Sequence, residues 1–293
     1  MGLSIGDYGV HAVEVEWTGQ TPTLRAIDEW QHSLPMGEET THAEGLSEFR
    51  EYLAAFIKLH HVNARQVSVA LDTSYLFLNT IPLVDKISPS ERTAQVQWEL
   101  QQYLPGNRPS GYITAYHTMV HEPPERDPEI LCVSIRRDDV RAIRTILQDL
   151  GLSLHIVDVD HFSGDTALRV NYPDSYRRFL AVVGVKKNRL DISWLRNGNL
   201  EAYRYRPVGS AQDIVDEIGR ISTESTGIHA MTVYGPYLNK ELLAMIRRKA
   251  AVLVEAMNPL RHVNIADTLR LAESIQSPSY RFAAAIGVAL RKD

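Results

Sequence analysis

The chain has 293 residues, of which 44% are hydrophobic and 23% charged, a composition typical of a soluble globular protein with room for two domains. Its formal net charge of -5 argues against nucleic-acid binding and against broad adhesion to an anionic membrane, because both need concentrated positive charge. The single cysteine, Cys132, excludes an internal disulfide and is expected to be buried as a small hydrophobe. The N-terminus lacks a signal-peptide pattern and the apolar stretches are too short to span a bilayer, so we expect a cytoplasmic protein with no direct membrane insertion.

The first part of the chain predicts a three-strand meander followed by a helix and a strand. The strands are predicted over 3–5, 10–16 and 23–30, with a turn at Gly19 between the second and third. Apolar residues recur at helical spacing over 45–61. Residues 66–71 then form a short apolar strand.

Residues 76–157 predict an inserted subdomain. Its order is strand, helix, strand, strand, helix, strand, with strands at 76–81, 112–120, 129–135 and 152–159 and helices at 88–103 and 138–150. Ser88, Pro89 and Glu91 supply the first helix with an N-cap, a proline at its first position and an acidic residue at its third.

A second meander follows a helix over 162–170. Its strands are predicted over 179–185, 189–195 and 200–206, and they precede a helix (210–225), a strand (230–234) and a helix (239–249). Both meanders place a tryptophan, Trp17 or Trp194, at the end of the strand before a glycine-containing turn. This repetition predicts a duplicated RNase-H-like fold, whose two hairpins face one cleft where backbone N–H groups hold the phosphates of a nucleotide. A small-residue helix over 280–290 is expected to pack closely on a sheet.

Five segments, in order, resemble the type IV pilus assembly protein family PilM. They are GLSIGDYGVHAVEVEW, QVQWELQQYLPGNRPSGYITAYH, LCVSIRRDDVRAIRTILQDLGLSLHIVDVDHF, VEAMNPLRHV and FAAAIGVALRK. The resemblance implies an actin-like fold related to the division protein FtsA, with ATP in the cleft between domains. It also implies binding to the N-terminal cytosolic segment of PilN, a single-span membrane protein.

The nucleotide motifs of this family are eroded here. In the first loop the family has an aspartate where this chain has Ser4, and Gly6 is kept. The family's serines are replaced by Asp7, Tyr8 and Gly9, and its lysine is replaced by His11. The second loop is replaced by residues 184–190, in which Lys186, Lys187 and Asn188 remain as polar groups and the two lysines could attract an anion. The adenosine-side motif keeps one glycine, Gly235, beside a proline that removes a backbone donor. We therefore expect no cofactor, while ATP with Mg²⁺ remains the alternative. The vestigial ATP site consists of nine residues: Gly6, Asp7, Tyr8, Gly9, His11, Lys186, Lys187, Asn188 and Gly235.

Other polar clusters have ordinary structural explanations. His155, Asp158, Asp160 and His161 do not suggest a metal site, because strand alternation separates His155 from the aspartates, which we assign to a strand end and a helix N-cap. Asp191 and Ser193 with a distant histidine do not predict a catalytic triad, because no nucleophile elbow surrounds the serine.

Trp98 and Tyr103 lie on one predicted helix. Two interpretations stay open for them: packing in the core, or a groove for a partner peptide.

Together these observations predict an actin-like, duplicated RNase-H-like α/β fold in four parts. Residues 1–75 with 158–176 form the first domain, 76–157 the insertion, 177–276 the second domain, and 277–293 a helix that returns to the first domain. We expect a cytoplasmic scaffold of a type IV pilus platform, held at the inner membrane by a PilN-like partner, without ATP hydrolysis and with self-association left open. The alternatives are an active ATPase of this family, with Asp7 as a relocated metal ligand, and a cytoplasmic component of a type II secretion system.

Overall fold

The computed structural model of the chain describes residues 1–32, 34, 36, 43–82, 88–104, 109–119, 129–225, 227–270 and 278–291. Within these ranges the chain forms three sheets and nine helices. The strands are β1 (Gly2–Gly6), β2 (Gly9–Thr18), β3 (Thr21–Trp30), β4 (Gln66–Leu71), β5 (Phe77–Pro82), β6 (Tyr112–Met119), β7 (Glu129–Arg136), β8 (Ser153–Val159), β9 (Phe179–Val185), β10 (Arg189–Arg196), β11 (Asn199–Pro207), β12 (Ala230–Tyr234), β13 (Leu253–Ala256) and β14 (Asn264–Ile265). The helices are α1 (Ala43–Leu59), α2 (Pro89–Tyr103), α3 (Arg137–Asp149), α4 (Asp160–Asn171), α5 (Pro173–Tyr176), α6 (Ala211–Glu224), α7 (Lys240–Lys249), α8 (Asp267–Arg270) and α9 (Ala283–Leu290).

The two larger sheets share one topology. The first sheet has the order β14-β3-β2-β1-β4-β8, and the second has the order β11-β10-β9-β12-β13. In each sheet an antiparallel three-strand meander is extended by two strands that run parallel to its first strand. The predicted duplication of an RNase-H-like unit is therefore confirmed.

Helices cover the apolar faces of these sheets. On the first sheet, α1 buries Phe49, Leu53 and Phe56 against Leu3 and Ile5 of β1. The three α1 residues lie at the spacing of one helix face, which is the pattern that predicts this helix from the sequence. Burying each such side chain stabilises the fold by about 1.5–3 kcal/mol. On the second sheet, α6 and α7 present similar apolar faces.

The small-residue helix predicted near residue 280 is α9, and it lies against the first sheet and α4. A Cβ atom on Gly287 would lie 1.7 Å from the carbonyl oxygen of Ser163, and one on Gly2 would lie 2.3 Å from the carbonyl oxygen of Ala285. Both positions require glycine because the backbones of α4, α9 and β1 approach each other closely. The composition of this segment thus sets the distance between the helix and the sheet.

The third sheet has the order β5-β7-β6, and α2 covers one of its faces. The helix begins with the predicted capping box: the N–H of Glu91 donates to Ser88 Oγ at 3.3 Å, and the N–H of Ser88 donates to Glu91 Oε2 at 2.8 Å. Val96 and Leu100 of α2 share a small core with Cys132. Cys132 is fully buried, as its isolation in the sequence predicts, and burial raises the pKa of its thiol to about 11.

The predicted insertion, 76–157, extends past this third sheet. β8 pairs in parallel with β4, and Ile143 and Leu147 of α3 pack in the core of the first sheet. The separate layer therefore runs from β5 to β7, and α3 and β8 return to the first sheet. β14, within the segment assigned to the second domain (177–276), likewise pairs with β3 of the first sheet. None of the helices in the described ranges combines the length and hydropathy needed to cross a membrane.

Candidate functional site

Loops that follow the parallel strands of both large sheets meet at one cleft. Asp7 follows β1, Asp72 follows β4, and Asp160 follows β8 on the first side. On the other side, Lys186 follows β9 and Gly235 follows β12. Open α/β sheets bind ligands outside the carboxyl ends of their strands, so this cleft is the candidate site.

Lys186 crosses the cleft and places its ammonium group among carboxylates. Its Nζ lies 3.1 Å from Asp72 Oδ2 and 2.8 Å from Asp160 Oδ2, both on the first side. The same atom lies 2.9 Å from Asp191 Oδ2 of β10 and donates a hydrogen bond to Thr73 Oγ1 at 2.6 Å. All of these side chains are buried, so the two large sheets are joined by an enclosed ion cluster.

The charges of this cluster follow from burial and from its neighbours. Burial raises the pKa of Asp160 to about 7, and Lys186 opposes that rise. Burial also acts to raise the pKa of Asp191, but Lys186 and Arg189 outweigh it and hold the pKa below its ordinary value. Asp191 Oδ1 accepts hydrogen bonds from Tyr203 at 2.6 Å and from Arg189 at 2.8 Å. Burial alone would lower the pKa of Lys186, but the carboxylates raise it well above its ordinary value, so the amine is protonated.

This geometry changes the interpretation of two residues. Lys186 is predicted to face an anion in the cleft, but its ammonium group is enclosed by carboxylates instead. Asp160 is predicted to cap α4, but Val159 holds the N-cap position without a side-chain cap, and Asp160 is the first residue of the helix. Lys187 and Asn188, in the same turn as Lys186, are exposed.

The first predicted phosphate loop is filled by an aromatic side chain. The hydroxyl of Tyr8 is hydrogen-bonded to Ser4 Oγ, and a Cβ on Gly6 would lie 2.3 Å from Cε1 of the Tyr8 ring. Gly9 has a φ of 114°, and a Cβ there would lie 1.9 Å from the carbonyl oxygen of Trp30. Gly9 is therefore required by a backbone contact within the protein itself, and a side chain at Gly6 would displace the Tyr8 ring.

His11 and Asp7 flank this loop. His11 is buried, with its ring centroid 4.7 Å from that of Tyr8. Burial, aided by the charge of Arg281, lowers the pKa of His11 to about 3, so a neutral imidazole lies where the family has a lysine. Asp7 is exposed at the mouth of the cleft, and desolvation of its carboxyl together with the charge of Asp72 raises its pKa.

Gly235 lies on the far side of the cleft and contacts β9. Its φ is 127°, and a Cβ there would lie 2.4 Å from the carbonyl oxygen of Val185. Beside it, Tyr237, Tyr280 and Arg281 line an open depression of about 430 Å³. The glycine thus serves a close backbone contact, and the depression is a concave surface on this side of the cleft.

The structure brings His161 and Ser193 together, which the sequence reasoning missed. His161 Nε2 lies 2.6 Å from Ser193 Oγ, and His161 Nδ1 lies 3.0 Å from the hydroxyl of Tyr234. Burial lowers the pKa of His161 to about 4. Because both His161 and Ser193 are fully buried, the pair satisfies polar groups in the core rather than attacking a substrate.

The residues considered for a metal site have other partners. Asp158 Oδ2 accepts hydrogen bonds from Arg291 at 2.8 Å and from Ser163 at 3.0 Å, and Asp160 pairs with Lys186. In the described part of the chain, no three His, Cys, Asp or Glu side chains are arranged to hold a metal ion.

Comparison with known families shows which family the chain belongs to. The profile of the family described as Type IV pilus assembly protein PilM matches residues 2–225. The chain belongs to the PilM family. None of the curated proteins matches it.

Solved structures with a similar fold include one of a PilM-PilN type IV pilus biogenesis complex. It superposes on this PilM-family chain with a TM-score of 0.78 at 19% identity, over 99% of this chain and 97% of that chain. A Bacteroides thetaiotaomicron protein with an actin-like ATPase fold gives a TM-score of 0.52 at 11% identity, over 89% of this chain and 91% of that chain. The ethanolamine utilization protein EutJ from Carboxydothermus hydrogenoformans gives 0.52 at 12% identity, over 99% and 88%. At these identities the likeness shows the fold, and the predicted actin-like α/β fold is confirmed.

The aromatic residues predicted for partner binding are exposed in this PilM-family chain. Trp98 is 59% exposed and Tyr103 is 52% exposed, so the alternative of core packing is wrong for both. The Tyr103 ring stacks beside Phe77, with 6.1 Å between centroids. Ile113 and Tyr116 on β6 are exposed as well, at 41% and 57%. The third sheet and its helix therefore present several large apolar side chains to solvent.

Proposed function

We propose that this PilM-family chain is a scaffold of a type IV pilus assembly platform that does not hydrolyse ATP. In this proposal it lies in the cytoplasm and binds the cytosolic segment of a PilN-like membrane protein, which holds it at the inner membrane. No direct contact with nucleic acid is part of the proposal.

The ion cluster around Lys186 carries the argument on nucleotide. Mg²⁺ is held in proteins by carboxylate and water oxygens, and three carboxylates of this cleft already surround a protonated amine. Because these carboxylate oxygens are already paired with Lys186, a metal ion could bind them only by displacing the buried amine. The cluster therefore works against a metal-bound triphosphate.

The first loop supports the same conclusion. The Ser4 hydroxyl is hydrogen-bonded to Tyr8, whose ring lies over Gly6 and fills the space that a phosphate would need. The neutral imidazole of His11 supplies no positive charge to a phosphate. Of the polar groups assigned to the second loop, Lys187 and Asn188 remain exposed and available.

The likeness to the PilM-PilN complex supports the proposal that this chain binds a PilN-like partner. That structure aligns with 99% of this chain, including the third sheet. The exposed side chains of Trp98 and Tyr103 on α2 are our proposed contact with such a partner, because large aromatic side chains dominate the binding energy of protein interfaces.

Asp7 favours one alternative, an active ATPase. Its carboxylate follows β1 at the mouth of the cleft and is exposed, so it could approach a metal ion from outside the Lys186 cluster. In that case turnover would depend on Mg²⁺ and would be lost in Asp7→Ala.

Calorimetric titration with ATP and Mg²⁺, with ADP as a control, separates the two functions. The scaffold predicts no heat at millimolar ATP and no phosphate release, together with capture of the purified N-terminal segment of PilN. Micromolar ATP binding that Asp7→Ala abolishes would overturn the nucleotide-independent scaffold.

A further inference from the structure

Five oxygen atoms surround the ammonium group of Lys186. Thr73 Oγ1 lies 2.6 Å from Nζ, and the two carboxylate oxygens of Asp160 lie 2.9 Å (Oδ1) and 2.8 Å (Oδ2) from it. Asp72 Oδ2 at 3.1 Å and Asp191 Oδ2 at 2.9 Å belong to the same shell. An ammonium group has three N–H donors, so this oxygen shell is larger than Lys186 can satisfy with one hydrogen bond to each oxygen.

The oxygen shell has the composition of a binding site for a hard cation. Ca²⁺ takes about 6–8 oxygen ligands at about 2.3–2.6 Å, from carboxylates that bind through one or both of their oxygens and from water. Here Asp160 presents both carboxylate oxygens to the central charge, and Asp72 and Asp191 present one each. The oxygens would need to move inward by only about 0.5 Å to hold Ca²⁺.

The charge of the oxygen shell requires a cation at its centre. Asp72, Asp160 and Asp191 are each at most 5% exposed. Asp72 Oδ2 makes no hydrogen bond with the described residues, so the ion pair with Lys186 is the contact that balances its charge. Buried carboxylates that lose their countercharge destabilise a fold strongly. The fold therefore keeps this shell only while a cation fills it.

The ligands of the oxygen shell come from both large sheets. Asp72, Thr73 and Asp160 follow strands of the first sheet, whereas Asp191 lies on β10 of the second sheet. The central cation therefore joins the two sides of the cleft. A free ion in this position would be lost at low concentration, by mass action. The side chain of Lys186 is attached to the chain after β9, so it joins the two sides at any ion concentration.

We propose that Lys186 is a built-in replacement for a divalent cation: its ammonium group fills an oxygen shell suited to Ca²⁺ and joins the two domains without a metal ion. This inference goes beyond the scaffold function and does not depend on the identity of the partner. It predicts that removal of the ammonium group creates a metal site that the wild type lacks. A lysine that only balances buried charge would leave a weaker fold and no such site.

Calorimetric titration of the full chain with CaCl₂ tests this. Lys187→Ala is the matched control for loss of one positive charge, because Lys187 is the next residue and is exposed. We expect one Ca²⁺ site in Lys186→Ala, with a dissociation constant of about 10⁻⁵–10⁻³ M, and no saturable heat in the wild type or in Lys187→Ala. Adding Asp72→Asn to Lys186→Ala removes one charged ligand and should weaken Ca²⁺ binding about tenfold or more.

Thermal unfolding separates ion binding from a general loss of stability. An ion that binds only the folded state raises the unfolding midpoint, so about 10 mM Ca²⁺ should raise that of Lys186→Ala by about 3 °C or more. The wild type and Lys187→Ala should change by less than about 1 °C. If Lys186→Ala folds poorly without the ion, refolding in Ca²⁺ and in EDTA makes the same comparison. Lys186→Gln is the second variant, because it keeps most of the stem and offers an amide oxygen to the ion.

The outcomes are distinct. Saturable Ca²⁺ binding to Lys186→Ala that the wild type lacks, and that Asp72→Asn weakens, supports the inference. If the folded Lys186 variants bind no Ca²⁺, or if neither variant folds in its presence, the ion does not replace the ammonium group and the inference is overturned. If the wild type binds Ca²⁺ as tightly as Lys186→Ala, the ion lies elsewhere and the inference is also overturned. These titrations contain neither ATP nor a partner, so their failure leaves the proposed scaffold function standing.

Discussion

Replacing Lys186 by methionine would remove the ammonium group that separates three buried carboxylates while keeping most of the apolar stem. Removing one partner of a buried ion pair destabilises a fold by about 3–5 kcal/mol, and here Asp72, Asp160 and Asp191 all lose their shared partner. Asp191 keeps its contact with Arg189, which limits the loss. At about pH 8 we therefore expect the free energy of unfolding to fall by roughly 4 kcal/mol.

The loss of stability in Lys186→Met should depend on pH in a definite direction. The pKa of Asp160 is raised in the fold to about 7, so its protonation stabilises the fold fully below the ordinary carboxyl pKa, and that stabilisation is lost as the pH rises through 7. Without Lys186, which opposes the rise, the pKa of Asp160 moves further up. At about pH 5.5 Asp160 is protonated in both proteins, so we expect a smaller loss of roughly 2 kcal/mol.

Urea unfolding followed by circular dichroism at both pH values measures these losses. Lys187→Met is the matched control, because Lys187 is adjacent in the chain and exposed. Its effect should stay within about 0.5 kcal/mol. Equal midpoints for the two variants at pH 8, or a Lys186→Met loss that grows as the pH falls, would refute the reasoning.

Three other variants test separate parts of the structure. The pKa of His11 is lowered to about 3 in the fold, so the unfolded chain binds a proton at this residue before the folded chain does as the pH falls below the ordinary histidine value. His11→Phe should therefore reduce the loss of thermal stability between about pH 6.5 and 4. An unchanged dependence of the unfolding temperature on pH would contradict this. Gly287→Ala should destabilise the fold by about 3 kcal/mol in urea unfolding, because its Cβ would lie 1.7 Å from the carbonyl oxygen of Ser163, whereas Gly111→Ala, which meets open space, should be neutral. Trp98→Ala should leave the unfolding midpoint unchanged and should weaken binding of a labelled peptide that copies the cytosolic segment of PilN about tenfold or more, as measured by fluorescence anisotropy; full affinity would exclude α2 from the partner surface.

The sequence predicted most of the fold because its signals are local. Alternation and turn glycines marked both meanders, and the apolar stripes marked the helices, so most elements begin and end within three residues of the predicted positions. β13 and β14 were missed because strands of four and two residues are too short to show a period. The predicted insertion, 76–157, includes α3 and β8, which join the first sheet. The sequence of a helix or strand does not show which sheet it joins.

The sequence predicts where the candidate site lies but not the contacts between its side chains. The eroded loops do lie at the carboxyl ends of the strands, but the role of Lys186 depends on Asp72 and Asp160, which another domain supplies. No local pattern shows a contact across 113 residues, such as that between Lys186 and Thr73. One signal was present: Asp191 lies between the apolar residues Leu190 and Ile192 in the interior of β10, and a charge at a buried strand position must be paired.

The packing of α9 on β1 has a consequence for synthesis of the protein. The core strands of the second sheet all lie within residues 179–256, so that sheet can form from one continuous stretch of chain. The first sheet needs residues 283–290 to cover strands that begin at residue 2, which is a contact of very high sequence separation. Such contacts slow folding, and the uncovered surface promotes aggregation while they are missing. The second domain can therefore fold while the chain is still being synthesised, whereas the first domain can complete its core only after α9 has emerged.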